Sequence, residues 1–251
     1  FALAAAAIAG VSAISNVIEP GLSRKTILVV GRISCSIPAA ARANNVVTVM
    51  DNTWSGGVFY KPLALGFDVS VQANTKYVSG GADVLMGSVV TRDLRLHHML
   101  VDTHMRFGVG VAGNDAELVL RGLHSMVLRY EAQDRSTREL ARWMATRPEV
   151  ATVLHPSLPG SPGHAAWLRD ARGAACLFSV VFQPRFSQAQ VDRFCDRLGL
   201  FRLGWSWAGP ISLCAPYDVP AMRRLPWPHQ GALVRFAIGL EAVDDLRQDI
   251  E

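Results

Sequence analysis

Lysine is nearly missing from this chain of 251 residues: Lys25, Lys61 and Lys76 are the only ones, and arginine carries the remaining positive charge. Chemistry that needs a deprotonatable amine therefore has three candidates, because a guanidinium stays protonated in proteins. No run of basic residues with interleaved aromatics occurs; the formal net charge of +4 is spread along the sequence, and no nucleic-acid partner is expected. No apolar stretch reaches the length of a membrane span, so no membrane partner is expected either. The opening Phe1 to Ile14 is apolar and alanine-rich without the charged leading region of an export signal, and a buried helix is expected there. Cys35, Cys176, Cys195 and Cys214 stand far apart and form no CxxC pair. That excludes the usual zinc and redox motifs and leaves reduced thiols in a cytoplasmic protein as the expectation. His97, His98 and His104 lack the i, i+4 spacing of a helical zinc pair, so no metal is assigned.

What is present reads as globular. Half of the residues are apolar and 18% are charged, enough for one large core or two smaller ones. The run Val46 to Met50 is apolar without alternation, as in a strand buried on both faces of a parallel sheet, and it ends in Asp51-Asn-Thr-Trp54. A second strand, Phe67 to Gln72, alternates apolar and polar residues and delivers Asn74-Thr-Lys-Tyr77. Helical periodicity follows from about Arg92 to Phe107. A further helix, with Asn114 or Asp115 as its cap, is expected to run through Leu123, Met126, Val127 and Tyr130. Beyond it the pattern gives a helix over Thr137 to Ala145, a strand over Val150 to Leu154, and a turn-rich loop from His155 to Gly163. Then come a strand over Cys176 to Phe182, a helix over Ser187 to Leu198, a strand over Leu233 to Ile238, and a last helix from about Glu241. Gly108-Val-Gly110-Val-Ala-Gly113 matches GxGxxG but follows a helical segment rather than a strand, which speaks against a dinucleotide site.

Taken alone, an aspartate at a strand end is usually a cap or turn residue, and a lysine is usually a solvated surface group. Together Asp51 and Lys76 suit one particular chemistry. Pyridoxal phosphate needs a lysine amine to form its Schiff base and a carboxylate to keep the pyridine nitrogen protonated. The carboxyl ends of two sheet strands could supply both.

Asp51-Asn-Thr-Trp54, Gly66-Phe-Asp-Val-Ser70 and Thr75-Lys-Tyr77 followed by Gly80 resemble the signature of the pyridoxal-phosphate enzymes of Cys/Met metabolism. The resemblance continues in family order through Arg121-Gly-Leu123, His155-Pro156, Leu158-Pro-Gly-Ser-Pro-Gly-His164, Ser206-Trp-Ala-Gly209, Arg235, Gly239-Leu-Glu241 and Val243-Asp-Asp-Leu246. It covers roughly residues 45 to 251. Trp54 and Trp207, where γ-synthases and γ-lyases usually carry Phe and Leu, make the pattern similar to bacterial cystathionine β-lyases.

The fold class implied is α/β: a PLP-dependent transferase type I (aspartate aminotransferase-like) large domain on a mixed, mostly parallel sheet, plus a smaller α+β C-terminal domain. Residues 1–122 would be a partial large domain, with 1–44 poorly matched, and 123–251 the small domain with the substrate-carboxylate site. By the same resemblance Lys76 would hold the cofactor and shuttle protons, Asp51 would pair with the pyridine nitrogen, and Thr75 would bind phosphate through its hydroxyl. Arg235 would grip the substrate carboxylate, in a pocket shaped by Ser206, Trp205 and Trp207; the planar guanidinium suits that task. The implied reaction is β-elimination, converting the sulfur amino acid L-cystathionine to homocysteine, pyruvate and ammonia in methionine biosynthesis. The implied assembly is a homotetramer built as a dimer of dimers.

Several positions depart from the family. Phe1 to Asn44 does not match the upstream segment that supplies a glycine-containing phosphate loop and a stacking ring. Trp205 stands in place of tyrosine, Gly81-Ala82 in place of His-Ser, and Pro210-Ile211 in place of an aromatic-Glu pair. These departures leave two alternatives open: a truncated or divergent non-catalytic relative, and a γ-lyase or γ-synthase.

Overall fold

The computed structural model describes residues 15–17, 26–29, 36–222 and 226–251; the helix expected over Phe1 to Ile14 lies outside them. The chain divides into two compact units. The first comprises Phe1–Ser79, Asp83–Val127 and Ala165–Gly173, and the second comprises Gly80–Ala82, Leu128–His164 and Ala174–Glu251.

The first unit is built on a five-stranded sheet in chain order: β1 (Ser15–Val17), β2 (Thr26–Val29), β3 (Val47–Asp51), β4 (Val69–Ala73) and β5 (Gly87–Thr91). The pairings β2–β3 and β3–β4 are parallel, whereas β1–β2 and β4–β5 are antiparallel. The sheet is therefore mixed, with parallel pairing at its centre only, and the expectation of a mostly parallel sheet needs that correction. The chain returns from β4 to β5 through a loop without a crossover helix, and such a connection yields antiparallel neighbours. Helix α1 (Ser36–Ala43) leads into β3. Met50, Tyr60 and Phe67 form a small buried cluster with Ile37 and Leu65 against it.

Helix α2 (Leu94–Phe107) starts at Asp93, whose carboxylate accepts from the amides of Arg95 (2.8 Å) and Leu96 (3.1 Å). It stops at Gly108, in the left-handed region at φ 64°. The GxGxxG stretch is thus a turn between helices, as its position in the sequence indicated. The single helix expected from Asn114 to Tyr130 is two, α3 (Gly113–Leu123) and α4 (Met126–Met144). Apolar periodicity runs through the break, so pattern alone conceals it; the Ser125 amide closes a turn on Gly122 O at 3.2 Å. Ala112, not Asn114 or Asp115, occupies the cap of α3, without a side-chain bond. The helix expected over Thr137 to Ala145 is the second half of α4. Helix α2 is exposed along most of its length, and its exposed side chains include Leu94, Met105 and Phe107, at 74%, 76% and 79%. Val109, Val111 and Leu120 extend the same kind of surface along the following turn and α3.

The second unit carries a sheet in the order β6 (Val150–Leu154), β7 (Leu177–Phe182), β10 (Leu233–Ala237), β9 (Leu213–Tyr217) and β8 (Arg202–Leu203). All pairings are antiparallel except β8–β9. Every residue of β7 and β10 is buried. One sheet face, with Phe178, Val180, Cys214, Val234 and Phe236, packs against Leu140, Ala141 and Met144 of α4, Val191 and Cys195 of α6 (Gln188–Arg197), and Leu246 of α8 (Val243–Ile250). The Phe178 and Phe236 rings stack at 5.2 Å, an arrangement that adds to the area they bury. Ser187 and Gln190 cap α6 reciprocally. Two short helices, α5 (His164–Asp170) and α7 (Val219–Met222), are also present among the described residues. None of the helices among the described residues is long and apolar enough to cross a membrane.

His155, at the end of β6, is 1% exposed. Its Nδ1 lies 2.7 Å from the Ser157 hydroxyl, and its Nε2 has no hydrogen-bond partner among the described residues. Burial, with the charges of Arg138 and Arg142, lowers its pKa from 6.5 to about 3. The folded chain keeps this ring neutral while the unfolded chain protonates it, so acid favours unfolding between those two values. The unfolding free energy should fall by up to about 1.4 kcal/mol per pH unit as pH drops through that window. Urea titrations at pH 7 and pH 5 should show this loss in the native sequence and a smaller one in His155→Gln.

Candidate active site

The parallel register of β3 and β4, with Asp51 opposite Val71, brings the carboxyl ends of both strands to one edge of the first unit's sheet. The Asn52 amide continues the ladder to Val71 O at 2.8 Å. Asp51 is half-buried there. Its Oδ1 accepts from the Thr53 amide (3.0 Å) and the Thr53 hydroxyl (2.6 Å), and that hydroxyl accepts from the Ala73 amide at 2.9 Å. Thr53 thus ties the carboxylate of one strand end to the backbone of the next. Oδ2 accepts no hydrogen bond among the described residues. One oxygen orients the group, and the other is left for an external donor. Trp54 follows, half-buried, in a single 3-10 turn over Thr53–Ser55 that closes at Gly56.

Lys76 lies in the turn that leaves β4, half-buried, with its amide bonded to Ala73 O at 3.1 Å. The same turn is closed by the Ser79 amide on Asn74 O at 2.9 Å. Helix α3 meets this turn through Gly122: a Cβ there would collide with the carbonyl oxygens of Val78 and Ser79. Only glycine allows that approach. Of the other lysines, Lys61 is exposed and donates to Gly57 O at 3.2 Å, and Lys25 lies outside the described residues. Thr75 donates its hydroxyl proton to Met86 O (3.2 Å) and accepts from the Met86 amide (3.0 Å). A phosphate oxygen would have to take that proton from Met86 O.

The second unit holds the other candidates. Arg235 stands on β10, paired with Ser179 of β7 and Ala215 of β9, and its side chain is on the sheet face opposite the main core. It is 2% exposed. Nη2 donates to Gly204 O (3.2 Å) and Ser206 O (3.1 Å), and Nε is buried with no hydrogen-bond partner among the described residues. Arg235 makes no ion pair among the described residues. Burial lowers its pKa, opposed by the neighbouring Tyr217 and Cys176. A guanidinium out of water and lacking a carboxylate is costly, and the donors it has left, Nε and Nη1, suit a carboxylate brought from outside. Ser206 and Trp205 are exposed and Trp207 is half-buried. Trp205 packs edge-on against Tyr217, with ring centroids 4.8 Å apart.

The family model for Cys/Met metabolism PLP-dependent enzymes matches residues 34–251. The chain belongs to that family. The Cys/Met metabolism match begins at residue 34, upstream of the stretch carried by the motifs alone. The chain is 38% identical over 221 residues to the cystathionine beta-lyase of Salmonella typhimurium, covering 86% of this chain and 56% of that protein. With the cystathionine beta-lyase of Escherichia coli K12 the identity is 36% over 222 residues, with the same coverage of 86% and 56%. Among solved structures, cystathionine gamma synthase from Xanthomonas oryzae pv. oryzae in complex with aminoacrylate and cysteine superposes with a TM-score of 0.82 at 30% identity. That likeness covers 90% of this chain and 61% of the other. The chain thus spans a little over half the length of the curated relatives it matches.

Pyridoxal phosphate is the cofactor of the Cys/Met metabolism family. The residues described here fit it: Asp51 Oδ2 can accept from a protonated pyridine nitrogen, and Lys76 supplies an amine at the same sheet edge. Sequence reasoning missed Thr53, whose spacing of two from Asp51 is that of an Asx turn. It also missed Tyr217 and the packing role of Gly122.

The uncompensated charge of Arg235 has a measurable cost. Removing a buried charge that has no counter-ion relieves the cost of its desolvation. Arg235→Met should raise the unfolding free energy by about 1 to 3 kcal/mol in urea, while removing any affinity that depends on a substrate carboxylate.

Proposed function

We propose that the chain is the cofactor-binding and substrate-carboxylate-binding part of a cystathionine β-lyase, acting in methionine biosynthesis. The observation that carries this reading is the pair formed by a spare carboxylate oxygen on Asp51 and an amine on Lys76, at the ends of two parallel strands. Identities of 36% and 38% to bacterial β-lyases favour that branch, as does tryptophan at both Trp54 and Trp207.

Asp51 and Lys76 would hold pyridoxal phosphate, with Thr75 reaching its phosphate by giving up Met86 O. When bound, the cofactor supplies an electron-withdrawing ring that accepts the electron pair released when the substrate loses its α-proton. Asp51 keeps a proton on the pyridine nitrogen, which strengthens that withdrawal. The Lys76 amine takes the α-proton, for which it must be neutral. Arg235 Nε and Nη1 hold the substrate carboxylate, and Ser206 with Trp205 and Trp207 forms the surrounding wall. The carbon–sulfur bond at Cβ then breaks, the electrons leave with the homocysteine sulfur, and hydrolysis of the remaining fragment gives pyruvate and ammonia. The second unit corresponds in this reading to the family's smaller C-terminal domain. The exposed apolar surface of α2 and α3 supports assembly as a homo-oligomer, a dimer of dimers in the family, and a cytoplasmic location agrees with the reduced thiols.

The test is an absorbance spectrum of the chain with pyridoxal phosphate, with Lys76→Ala as control. A yellow band near about 420 nm that requires Lys76 is expected, followed by pyruvate release from L-cystathionine. Production of 2-oxobutyrate instead would move the chain to the γ-lyases. A folded chain without the band would be the non-catalytic relative.

A further inference from the structure

We propose that Tyr217 is a positioning residue that braces Arg235 and the loop that anchors it. The inference rests on Arg235 being the substrate-carboxylate residue, and it assigns a role to a side chain outside the family motifs described above.

The guanidinium of Arg235 is fixed by two hydrogen bonds. Its two anchors, Gly204 O and Ser206 O, are backbone carbonyls of a loop, so the arginine is only as well oriented as that loop. Trp205 stands between them in sequence. Its side chain is 57% exposed, and a tryptophan so exposed holds its backbone in place only where one edge is pinned. Tyr217 pins it, at 4.8 Å between centroids with the rings 79° apart.

The same phenol ring lies beneath the arginine. In the β9–β10 register Arg235 is opposite Ala215, which makes Tyr217 its diagonal neighbour on the same sheet face. The Arg235 Cζ lies 5.9 Å from the ring centroid, within the range of a cation–π contact. Tyr217 is 5% exposed, so this contact is made with little competing water. One ring on a paired strand therefore touches both the charge and the residue between its two carbonyl anchors. Among the described residues no other aromatic ring contacts both Trp205 and Arg235. Without it the loop would lose its apolar attachment, and Nε and Nη1 would no longer be aimed in one direction.

The proposal can be tested on the full chain with pyridoxal phosphate present, by following the Arg235 Nε–H signal in a nitrogen–proton correlation spectrum, assigned by its loss in Arg235→Lys. L-Alanine and L-alaninamide are the probes; they share amine and side chain and differ in the carboxylate. In the native sequence the signal should move with L-alanine and not with L-alaninamide. Tyr217→Leu should weaken the L-alanine response by about 3- to 10-fold, the size of a partly buried cation–π contact. Tyr217→Phe, which keeps the ring, should stay within about twofold of the native affinity. If Tyr217→Leu fails to fold, Trp205→Ala removes the same brace from its exposed side and should weaken the response in the same direction. An unchanged response in the folded Leu variant, or in Trp205→Ala where that variant decides, overturns the brace and leaves the carboxylate role of Arg235 standing. A native chain whose signal ignores L-alanine overturns the carboxylate role itself.

Discussion

Two parallel strands that pair side by side must end at the same edge of their sheet, and that constraint carries the chemistry of the first unit. Because β3 and β4 run together, an acid that closes one and a lysine that follows the other become neighbours without any long-range design of the loops. Thr53 converts this neighbourhood into a fixed geometry. Its hydroxyl gives its proton to Asp51 and takes the Ala73 amide, so both strand ends share one oxygen atom. A hydroxyl that donates and accepts in the same place cannot move without leaving a half-buried polar group unpaired. The cost of holding Asp51 still thus falls on Thr53, the residue two positions on.

The second unit solves a different problem. A charge stands at the centre of its sheet without a carboxylate partner among the described residues. Backbone carbonyls hold Arg235: they accept hydrogen bonds without bringing a formal negative charge, so the guanidinium is steadied and still attracts a carboxylate. Unpaired charge is destabilising, and the surrounding strands offset it by burying every residue of β7 and β10. Stability and the unpaired charge thus sit on the same strand, β10.

Much of this was legible in the sequence, for reasons that differ by element. The strand ending at Asp51 and the one preceding Lys76 announce themselves by apolar runs that stop at polar residues. The strands at Leu177–Phe182 and Leu233–Ala237 do so by apolar runs broken only at Ser179 and Arg235, and Ser187 marks its helix by a capping box. Strand β9 was invisible because Pro216 interrupts its pattern, and proline argues against an interior strand. With β9 unseen, Tyr217 had no position relative to Arg235. The break between α3 and α4 was hidden because hydrophobic spacing is the same on both sides of it. Gly122 was noticed as part of a motif, but a close approach of two backbones is a tertiary fact that no local pattern encodes.

Helix α2 turns Leu94, Met105 and Phe107 towards water, and this has a consequence for handling the molecule. Apolar surface of that extent is sticky. A solution of the chain alone would therefore scatter more light as concentration rises, and salts that strengthen hydrophobic contact, such as sulfate, would hasten the cloudiness. Dilute buffers and mild, non-ionic additives would delay it.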